Sequence, residues 1–269
     1  MKKISIVAAL AAAAIASAGV IPANAALTTL TPGVLTIGTD DPAYGPWFDS
    51  NTPSNGKGYE SAVAYAVAKQ LGYPASKVKW VKASFNSVIQ PGKKSFDFDI
   101  NQISITAERA KVVDFSTGYY DVAQAVVTVK GSPIEKAKKI SDLSKVSLGA
   151  QVGTTSLATI NSIVKPSKKA SVYDSNDLAT AALTAGQIKG LVVDLPTAFY
   201  IAATAKNAVL VGQFPAQAKA EQFGLVLSKA SALTSKVSAA VDALRANGTL
   251  KSIADKWLAN VGGAPVFTK

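Results

Sequence analysis

The chain has 269 residues, 48% of them hydrophobic and 17% charged, so it can bury the core of one large domain or of two lobes, and bulk disorder is excluded. It has no cysteine and no histidine, which excludes disulfides, thiol nucleophiles, Ser-His-Asp triads and histidine-ligated zinc, and we expect no lipid anchor. The formal net charge is +11, but the lysines are scattered in short clusters. A solvated basic surface, or attraction to anionic lipid, explains this charge better than nucleic-acid binding, so we expect no nucleic-acid partner.

Residues 1–25 have the pattern of a secretory signal peptide. Two lysines form a basic start, an Ala-rich apolar stretch follows, and Ala-Asn-Ala at 23–25 fits a cleavage site. An uncleaved membrane anchor is the alternative. We expect a mature chain of 26–269 that is soluble in the periplasm or outside the cell.

After this segment, strand-like and helix-like patterns alternate along the chain. Strands are predicted at 34–39, 78–81, 98–103, 122–129, 146–151, 191–193 and 223–227. Helices are predicted at 59–71, 107–112, 156–164, 177–185, 233–244 and 250–258, and another begins near Pro196. The alternation indicates an α/β fold with largely parallel sheets. Two runs without helical period, 122–129 and 222–228, could be strands that cross between two lobes.

The segment 96–120, FDFDINQISITAERAKVVDFSTGYY, is the most informative part of the sequence. Thr106 is a plausible N-cap, which places Arg109 in the first turn of a helix. An arginine beside the free N–H groups of such a terminus is suited to bind a carboxylate or a phosphate. The alternative is an ion pair of Arg109 with Glu108 or Asp114, and the spacing does not decide between the two.

Two other strand ends carry polar residues. Gly153, Thr154 and Thr155 follow a strand and open a helix, which fits either an anion-binding turn or an ordinary capping turn. Asp194 ends the strand 191–193, where open α/β sheets face their ligand crevice. It could hold an ammonium group, serve as an N-cap, or do both.

Acidic and aromatic residues follow the first strand in GTDDPAYGPW. Asp40, Asp41, Tyr44 and Trp47 could clamp an amphipathic cation, or form a surface turn with packed aromatic rings. Phe85 stands in a polar loop and could belong to the core or to a ligand wall.

No motif of a nucleotide-binding loop is present, and no carboxylate pair or Ser-Lys pair indicates a catalytic centre. We therefore expect neither a cofactor nor a metal, and we expect a protein that is not an enzyme.

Together these segments resemble the polar amino-acid-binding family of extracytoplasmic solute-binding proteins of ABC transporters, family 3, with the periplasmic-binding-protein type II fold. The resemblance covers nearly all of the mature chain. Its elements occur in the family's order: IGTD followed by Y-x-PW, GKGYESAVAYAVAKQLG, the segment 96–120, SLGAQVGTT, LVVDLPTAFY, EQFGLVLSK and LRANGTLKSIADKWL.

The resemblance implies a two-lobed α/β protein, each lobe a mostly parallel sheet flanked by helices, with two crossover hinge strands. Lobe 1 is expected at 26–125 and 222–269, and lobe 2 at 126–221. Such a protein closes around an amino acid and delivers it to a membrane permease, and we expect a monomer.

The resemblance also implies roles for single residues. Arg109 would bind the ligand α-carboxylate, helped by Thr155 and by the main chain at Gly153 and Ser104.

On the other side of the ligand, Asp194 and the main chain at Gln102 would take the α-ammonium group. Tyr44 and Phe85 would flank the ligand side chain, and Asn101 would touch the side chain or the amino group.

The sequence departs from the family pattern at several positions. The first-strand loop has one extra residue, so the family's acidic position falls on either Asp40 or Asp41. If either faces the pocket, a polar or basic amino acid is expected; a neutral, glutamine-like ligand is the close alternative, and an acidic ligand is less expected. Ala62 replaces a second acidic residue after Glu60, which weakens a polar contact inside lobe 1.

Two other functions fit the same scaffold. Some relatives are enzymes that dehydrate cyclohexadienyl substrates, which would require a general acid in the cleft. A protein of this kind could also sense its ligand for a separate receptor.

Overall fold

The computed structural model describes residues 27–218 and 220–269, so the signal peptide predicted at 1–25 lies outside the described residues. The described chain forms two five-stranded sheets with helices packed on them. The strands are β1 (Leu35–Thr39), β2 (Val78–Lys82), β3 (Phe98–Asp99), β4 (Val113–Val122), β5 (Gln124–Val129), β6 (Leu148–Gln151), β7 (Ser171–Tyr173), β8 (Gly190–Asp194), β9 (Ala208–Gln213) and β10 (Glu221–Ser228). The α-helices are α1 (Tyr59–Gln70), α2 (Phe85–Val88), α3 (Ala107–Ala110), α4 (Ile140–Leu143), α5 (Thr155–Thr159), α6 (Asn176–Thr184), α7 (Leu195–Thr204), α8 (Thr234–Ala246) and α9 (Thr249–Trp257).

Sheet 1 has the strand order β2-β1-β3-β10-β4, and sheet 2 the order β7-β6-β8-β5-β9. In each sheet the first three strands are parallel and the last two are antiparallel to their neighbours. The sheets are therefore mixed, whereas the sequence pattern suggested largely parallel sheets. The strands that run against the others are β10 and β5, which are the strands that the chain enters on arriving from the other sheet.

The chain passes between the sheets at 122–124 and at 213–221. The run 122–129, predicted as one strand, is interrupted at Ala123: Val122 ends β4 in sheet 1 and Gln124 begins β5 in sheet 2. Strand β4 itself was not predicted, because polar and aromatic residues interrupt its apolar pattern. It is held by β10, to which it pairs from Val113 to Val122.

Each sheet has its own buried core. The helices α1, α8 and α9 cover one face of sheet 1, with Trp47, Tyr59, Phe98 and Phe223 among the buried side chains. Apolar clusters lie on both faces of sheet 2. The two sheets therefore have separate hydrophobic cores, each able to stabilise its own sheet.

The last residues of the chain return to sheet 2. Gln213 of β9 donates its main-chain N–H to Pro265 and accepts one from Phe267. Phe267 is 3% exposed, and its ring lies 5.5 Å from that of Phe214. The expected lobe boundary assigns 222–269 to lobe 1, but residues 265–268 lie on sheet 2, because Phe267 completes an apolar cluster there.

Among the described residues, no helix is both long enough and apolar enough to span a membrane.

Candidate functional site

The candidate site is a small cavity between the two sheets. Thirteen residues line it: Asp40, Tyr44, Phe85, Asn101, Gln102, Ser104, Arg109, Gln151, Thr154, Thr155, Ser156, Asn176 and Asp194. Those up to position 109 come from the sheet 1 side and the others from the sheet 2 side. Several follow the carboxyl ends of the parallel strands β1, β3, β6 and β8, where open α/β sheets bind their ligands.

Arg109 is held in the cavity by contacts with both sides. Thr106 caps α3 by accepting the Arg109 main-chain N–H, at 3.2 Å. The guanidinium donates from Nη1 to the Ser104 carbonyl at 2.6 Å and from Nη2 to the Gly153 carbonyl at 2.9 Å. It lies over the Phe85 ring, with Cζ 5.4 Å from the centroid, and Arg109 is only 8% exposed. These two bonds leave further guanidinium N–H groups for another partner.

The alternative ion pairs of Arg109 do not form. Glu108 pairs with Lys111 at 2.8 Å, and Asp114 pairs with Lys229 at 3.2 Å. Burial lowers the pKa of the Arg109 guanidinium, while the carboxylates of Asp194 and Glu221 act to raise it.

Asp194 lies across the cavity at the end of β8. Its Oδ1 accepts a hydrogen bond from Gln124 Nε2 at 2.7 Å, because Gln124 is its direct partner on β5. It stands at the N-cap position of α7 but makes no side-chain cap bond. Burial, and then the nearby Glu221 carboxylate, raise the pKa of Asp194 to about 8.

The two neighbouring aspartates after β1 face different ways. Asp40 lines the cavity and accepts the Phe85 main-chain N–H at 3.0 Å. Asp41 is on the surface, where Lys82 and Asn51 each donate to it at 3.1 Å. Of the two alternatives that the sequence left open, Asp40 lines the cavity and Asp41 does not, since Lys82 and Asn51 hold it at the surface.

Trp47 does not line the cavity, although the sequence offered it either as part of a cation clamp or as a packed aromatic ring. It is fully buried among Tyr59, Tyr120 and Phe223, as the second alternative describes. Its Nε1 donates to Thr197 Oγ1 of α7 at 3.0 Å, so it joins the two sides next to the site. The large apolar indole is accommodated by the core of sheet 1.

The turn before α5 places its three predicted residues differently. Gly153, with φ +73°, adjoins the cavity and contributes its carbonyl to Arg109. Thr154 Oγ1 caps α5 by accepting from the Leu157 N–H at 3.2 Å, as the capping alternative predicted, and it also lines the cavity. Thr155 Oγ1 donates to Glu221.

The structure thus brings together ten of the predicted residues: Asp40, Tyr44, Phe85, Asn101, Gln102, Ser104, Arg109, Thr154, Thr155 and Asp194. That they bind a ligand stays a prediction. Asn101 Nδ2 is buried and has no hydrogen-bond partner among the described residues, so it is a donor available to a bound group.

Gln102 is held in an unusual conformation by Glu60 of α1. Its φ is +47°, in the left-handed region that non-glycine residues rarely adopt. Glu60 accepts the Gln102 main-chain N–H at 2.7 Å, and it also accepts hydrogen bonds from the Gln102 side chain and from Tyr119. Burial raises the pKa of Glu60 to about 7, against these hydrogen bonds, which lower it.

Several residues at or behind the cavity were not predicted. Gln151, Ser156 and Asn176 line it, while Gln124 and Glu221 lie behind its wall. Glu221 could have been suspected, since it begins the segment EQFGLVLSK, whose order supports the resemblance. The described residues contain no cluster of three acidic groups that could hold a metal ion.

Comparisons with known proteins indicate the family to which the chain belongs. Residues 35–260 match the family "Bacterial extracellular solute-binding proteins, family 3". The L-arginine-binding protein of Pseudomonas aeruginosa is 30% identical over 224 residues, which cover 80% of this chain and 84% of that protein. The ABC transporter glutamine-binding protein of Bacillus subtilis is 29% identical over 218 residues, and the match covers 78% of this chain and 77% of that protein.

A similar solved structure is that of the ancestral amino acid-binding protein AncCDT-1, described as a precursor of cyclohexadienyl dehydratase. It has a TM-score of 0.68 and 27% identity, and the match covers 84% of this chain and 95% of that one. Two mixed sheets with a polar cavity between them are the architecture of type II periplasmic binding proteins. The chain belongs to the family 3 extracellular solute-binding proteins, and its role is to bind a solute outside the cytoplasm.

Proposed function

We propose that this protein captures an amino acid in the cavity between the sheets and delivers it to the permease of an ABC importer. The observation that carries the proposal is the presence of Arg109 and Asp194 in one cavity, from opposite sides. An arginine fork suits an α-carboxylate, and a buried carboxylate suits an α-ammonium group. The relatives named as arginine-binding and glutamine-binding proteins support an amino-acid ligand.

The ligand binds by closing two lobes around itself. We assign sheet 1 to lobe 1 and sheet 2 to lobe 2. This assignment follows the expected division, in which lobe 2 comprises 126–221, and adds the tail at 265–268 to lobe 2. A ligand that contacts Arg109 on one lobe and Asp194 on the other binds the closed state better than the open one, and so shifts the equilibrium toward closure.

The charges around the cavity favour a cationic side chain. Asp40 lines the cavity with Arg109, and Glu221 lies directly behind the wall, so two carboxylates face one guanidinium even while Asp194, with its pKa raised to about 8, holds a proton. An amino acid's own ammonium and carboxylate groups cancel, so a neutral ligand leaves carboxylates in excess. A basic side chain would offset this excess, and burying a charge without a partner is costly. L-Arginine is therefore the first candidate and L-glutamine the second.

The test is a thermal-shift screen of residues 26–269 against the standard amino acids. A ligand at 100 times its dissociation constant stabilises the fold by about 2.7 kcal/mol. Each kcal/mol raises the melting temperature of a protein of this size by roughly 2–4 °C, so the shift should be several degrees. Arg109→Ala should abolish the shift, because it removes the carboxylate partner. Lys111→Ala, two residues away and on the surface, should keep it. The absence of a shift with every amino acid would contradict the proposal.

A dehydratase activity on the same scaffold is the second candidate. The observation in its favour is the pKa of Asp194, raised to about 8, because a carboxyl group that keeps its proton near neutral pH can act as a general acid. The similarity to AncCDT-1, a precursor of cyclohexadienyl dehydratase, also supports it. Incubation of the purified protein with prephenate or arogenate tests it: turnover abolished by Asp194→Asn would favour an enzyme, and no turnover would leave the binding protein.

A further inference from the structure

Glu221, the first residue of β10, connects the two sides of the site from behind the cavity wall. Its Oε1 accepts a hydrogen bond from Ser104 Oγ at 2.5 Å and another from Thr155 Oγ1 at 2.6 Å. Ser104 belongs to the sheet 1 side and Thr155 to the sheet 2 side, and both line the cavity. One carboxylate oxygen therefore receives the protons of two hydroxyl groups across the cleft.

These bonds fix the direction in which the two hydroxyls act. A carboxylate accepts hydrogen bonds and has no proton to donate, so each hydroxyl must use its single O–H group as the donor of a hydrogen bond to Glu221. What each hydroxyl then offers to the cavity is its oxygen lone pairs. Ser104 and Thr155 act as hydrogen-bond acceptors toward a ligand for as long as their O–H groups donate to Glu221.

Gln124 extends the same polarity to Asp194. Its Nε2 donates to Asp194 Oδ1 at 2.7 Å and lies 3.3 Å from Thr155 Oγ1 and from both Glu221 carboxylate oxygens. Its Oε1 accepts from Ser156 Oγ at 2.6 Å, which fixes the orientation of the amide. The amide's donors are thus directed at the carboxylates, and this corner of the cavity presents acceptors.

We infer that Glu221 is a positioning residue that makes the corner formed by Ser104, Thr155 and Asp194 a subsite for a primary ammonium group. An ammonium has three N–H donors, and the corner supplies one carboxylate and two hydroxyl acceptors for them. This inference rests on the proposed function and deepens it. It reverses the role that the family resemblance implies for the Thr155 side chain, which becomes a partner of the ligand ammonium instead of its carboxylate.

The first experiment compares three probes by isothermal titration: L-arginine, 5-guanidinopentanoic acid, which lacks the α-amino group, and agmatine, which lacks the α-carboxyl group. In Glu221→Gln the amide can donate hydrogen bonds to the two hydroxyl oxygens, which leaves their O–H groups free to point into the cavity. We expect affinity for L-arginine and agmatine to fall at least tenfold, and affinity for 5-guanidinopentanoic acid to change less than threefold. Glu108→Gln, the same change at an exposed carboxylate, should leave all three affinities within twofold.

A double-mutant cycle separates orientation of the hydroxyls from a general effect of charge. Thr155→Val should weaken L-arginine binding in the wild-type background and have little further effect in Glu221→Gln, because the hydroxyl acts as an acceptor only when Glu221 orients it. Additive losses, or equal losses for all three probes, would overturn the inference and leave Glu221 a structural residue.

The two proposals fail in distinguishable ways. If the wild-type protein binds L-arginine but Glu221→Gln keeps the ratio between the probes, only the inference about Glu221 is wrong. If L-glutamine is the ligand, glutaramic acid replaces the probe without an α-amino group. If no amino acid binds, the proposed function falls, and the ammonium subsite with it.

Discussion

At the residue scale, the site is defined by which neighbour a side chain contacts. Asp40 and Asp41 are adjacent and chemically identical, yet the first lines the cavity and the second pairs with Lys82 on the surface. Glu108 and Asp114 lie one and five residues from Arg109 in sequence, yet only Arg109 turns into the cleft, while the two acids pair with Lys111 and Lys229. Residue type and spacing predict the groups that a site contains, and packing decides which of them face it.

The pair Asp40 and Asp41 gives a direct test of side-chain selectivity. Asp40→Asn keeps an oxygen for the Phe85 N–H but removes the negative charge from the cavity. A hydrogen bond to a charged group contributes about 1.5–3 kcal/mol, so L-arginine affinity should fall about ten- to one-hundredfold in a titration, with little change for L-glutamine.

Asp41→Asn is the matched control, because it removes only an exposed ion pair, whose contribution is about 0–1 kcal/mol. Equal effects of the two substitutions on L-arginine binding would contradict the assignment of Asp40 to the ligand side chain.

Asp194 predicts how stability depends on pH. Its pKa is raised to about 8 in the folded protein, above its value of 3.8 as a free group, so the folded state holds a proton that the unfolded state releases. Its contribution to the free energy of unfolding is therefore full below about pH 4 and is lost as the pH rises toward 8, with a slope no steeper than about 1.4 kcal/mol per pH unit.

Urea denaturation of the wild type and of Asp194→Asn from pH 4 to 9 measures this contribution. The comparison is needed because Glu60, with its pKa raised to about 7, acts in the same direction. Parallel curves for the two proteins would show that Asp194 holds no proton when folded.

At the element scale, the helices and strands with a regular pattern of apolar residues were predicted best from the sequence. The helix predicted at 59–71 is observed as Tyr59–Gln70, and the strand predicted at 191–193 lies within Gly190–Asp194. Strand β4 was not predicted because VDFSTGYYDV alternates between apolar and polar residues only over its first four positions. Its ten residues are extended because β10 supplies their hydrogen bonds, and such long-range pairing leaves no local signal.

The tail is an element whose position depends on one side chain. Phe267→Ala should lower the free energy of unfolding by about 3 kcal/mol, because it leaves a cavity beside Phe214 in the core of sheet 2. Val266→Ala, at a position 52% exposed, should change it by no more than about 0.5 kcal/mol. Urea denaturation followed by circular dichroism measures both.

Similar effects of the two tail substitutions would mean that residues 265–268 do not pack on sheet 2 in solution. The order predicted here, with a large effect at the buried ring alone, would mean that they do.

At the scale of the whole molecule, the two sheets have the same arrangement of strands, and the sequence shows no sign of this similarity. Each consists of three parallel strands followed by two antiparallel ones, although the chain has no evident internal sequence repeat. The arrangement turns the ends of the parallel strands of both sheets toward a common gap. Alternation of strands and helices was enough to predict the α/β class, but the facing of the two sheets depends on contacts between residues distant in sequence, such as Arg109 with Gly153.

The indole of Trp47 gives the protein a built-in optical reporter. It is fully buried and hydrogen-bonded to Thr197 on the far side of the cleft, whereas Trp80 and Trp257 are only partly buried and pack with sheet 1. Separation of the two sides would break this bond and admit water to one indole, shifting its fluorescence emission to longer wavelength. Solute capture should therefore change the intrinsic fluorescence of the unlabelled protein, and Trp47→Phe should remove that change.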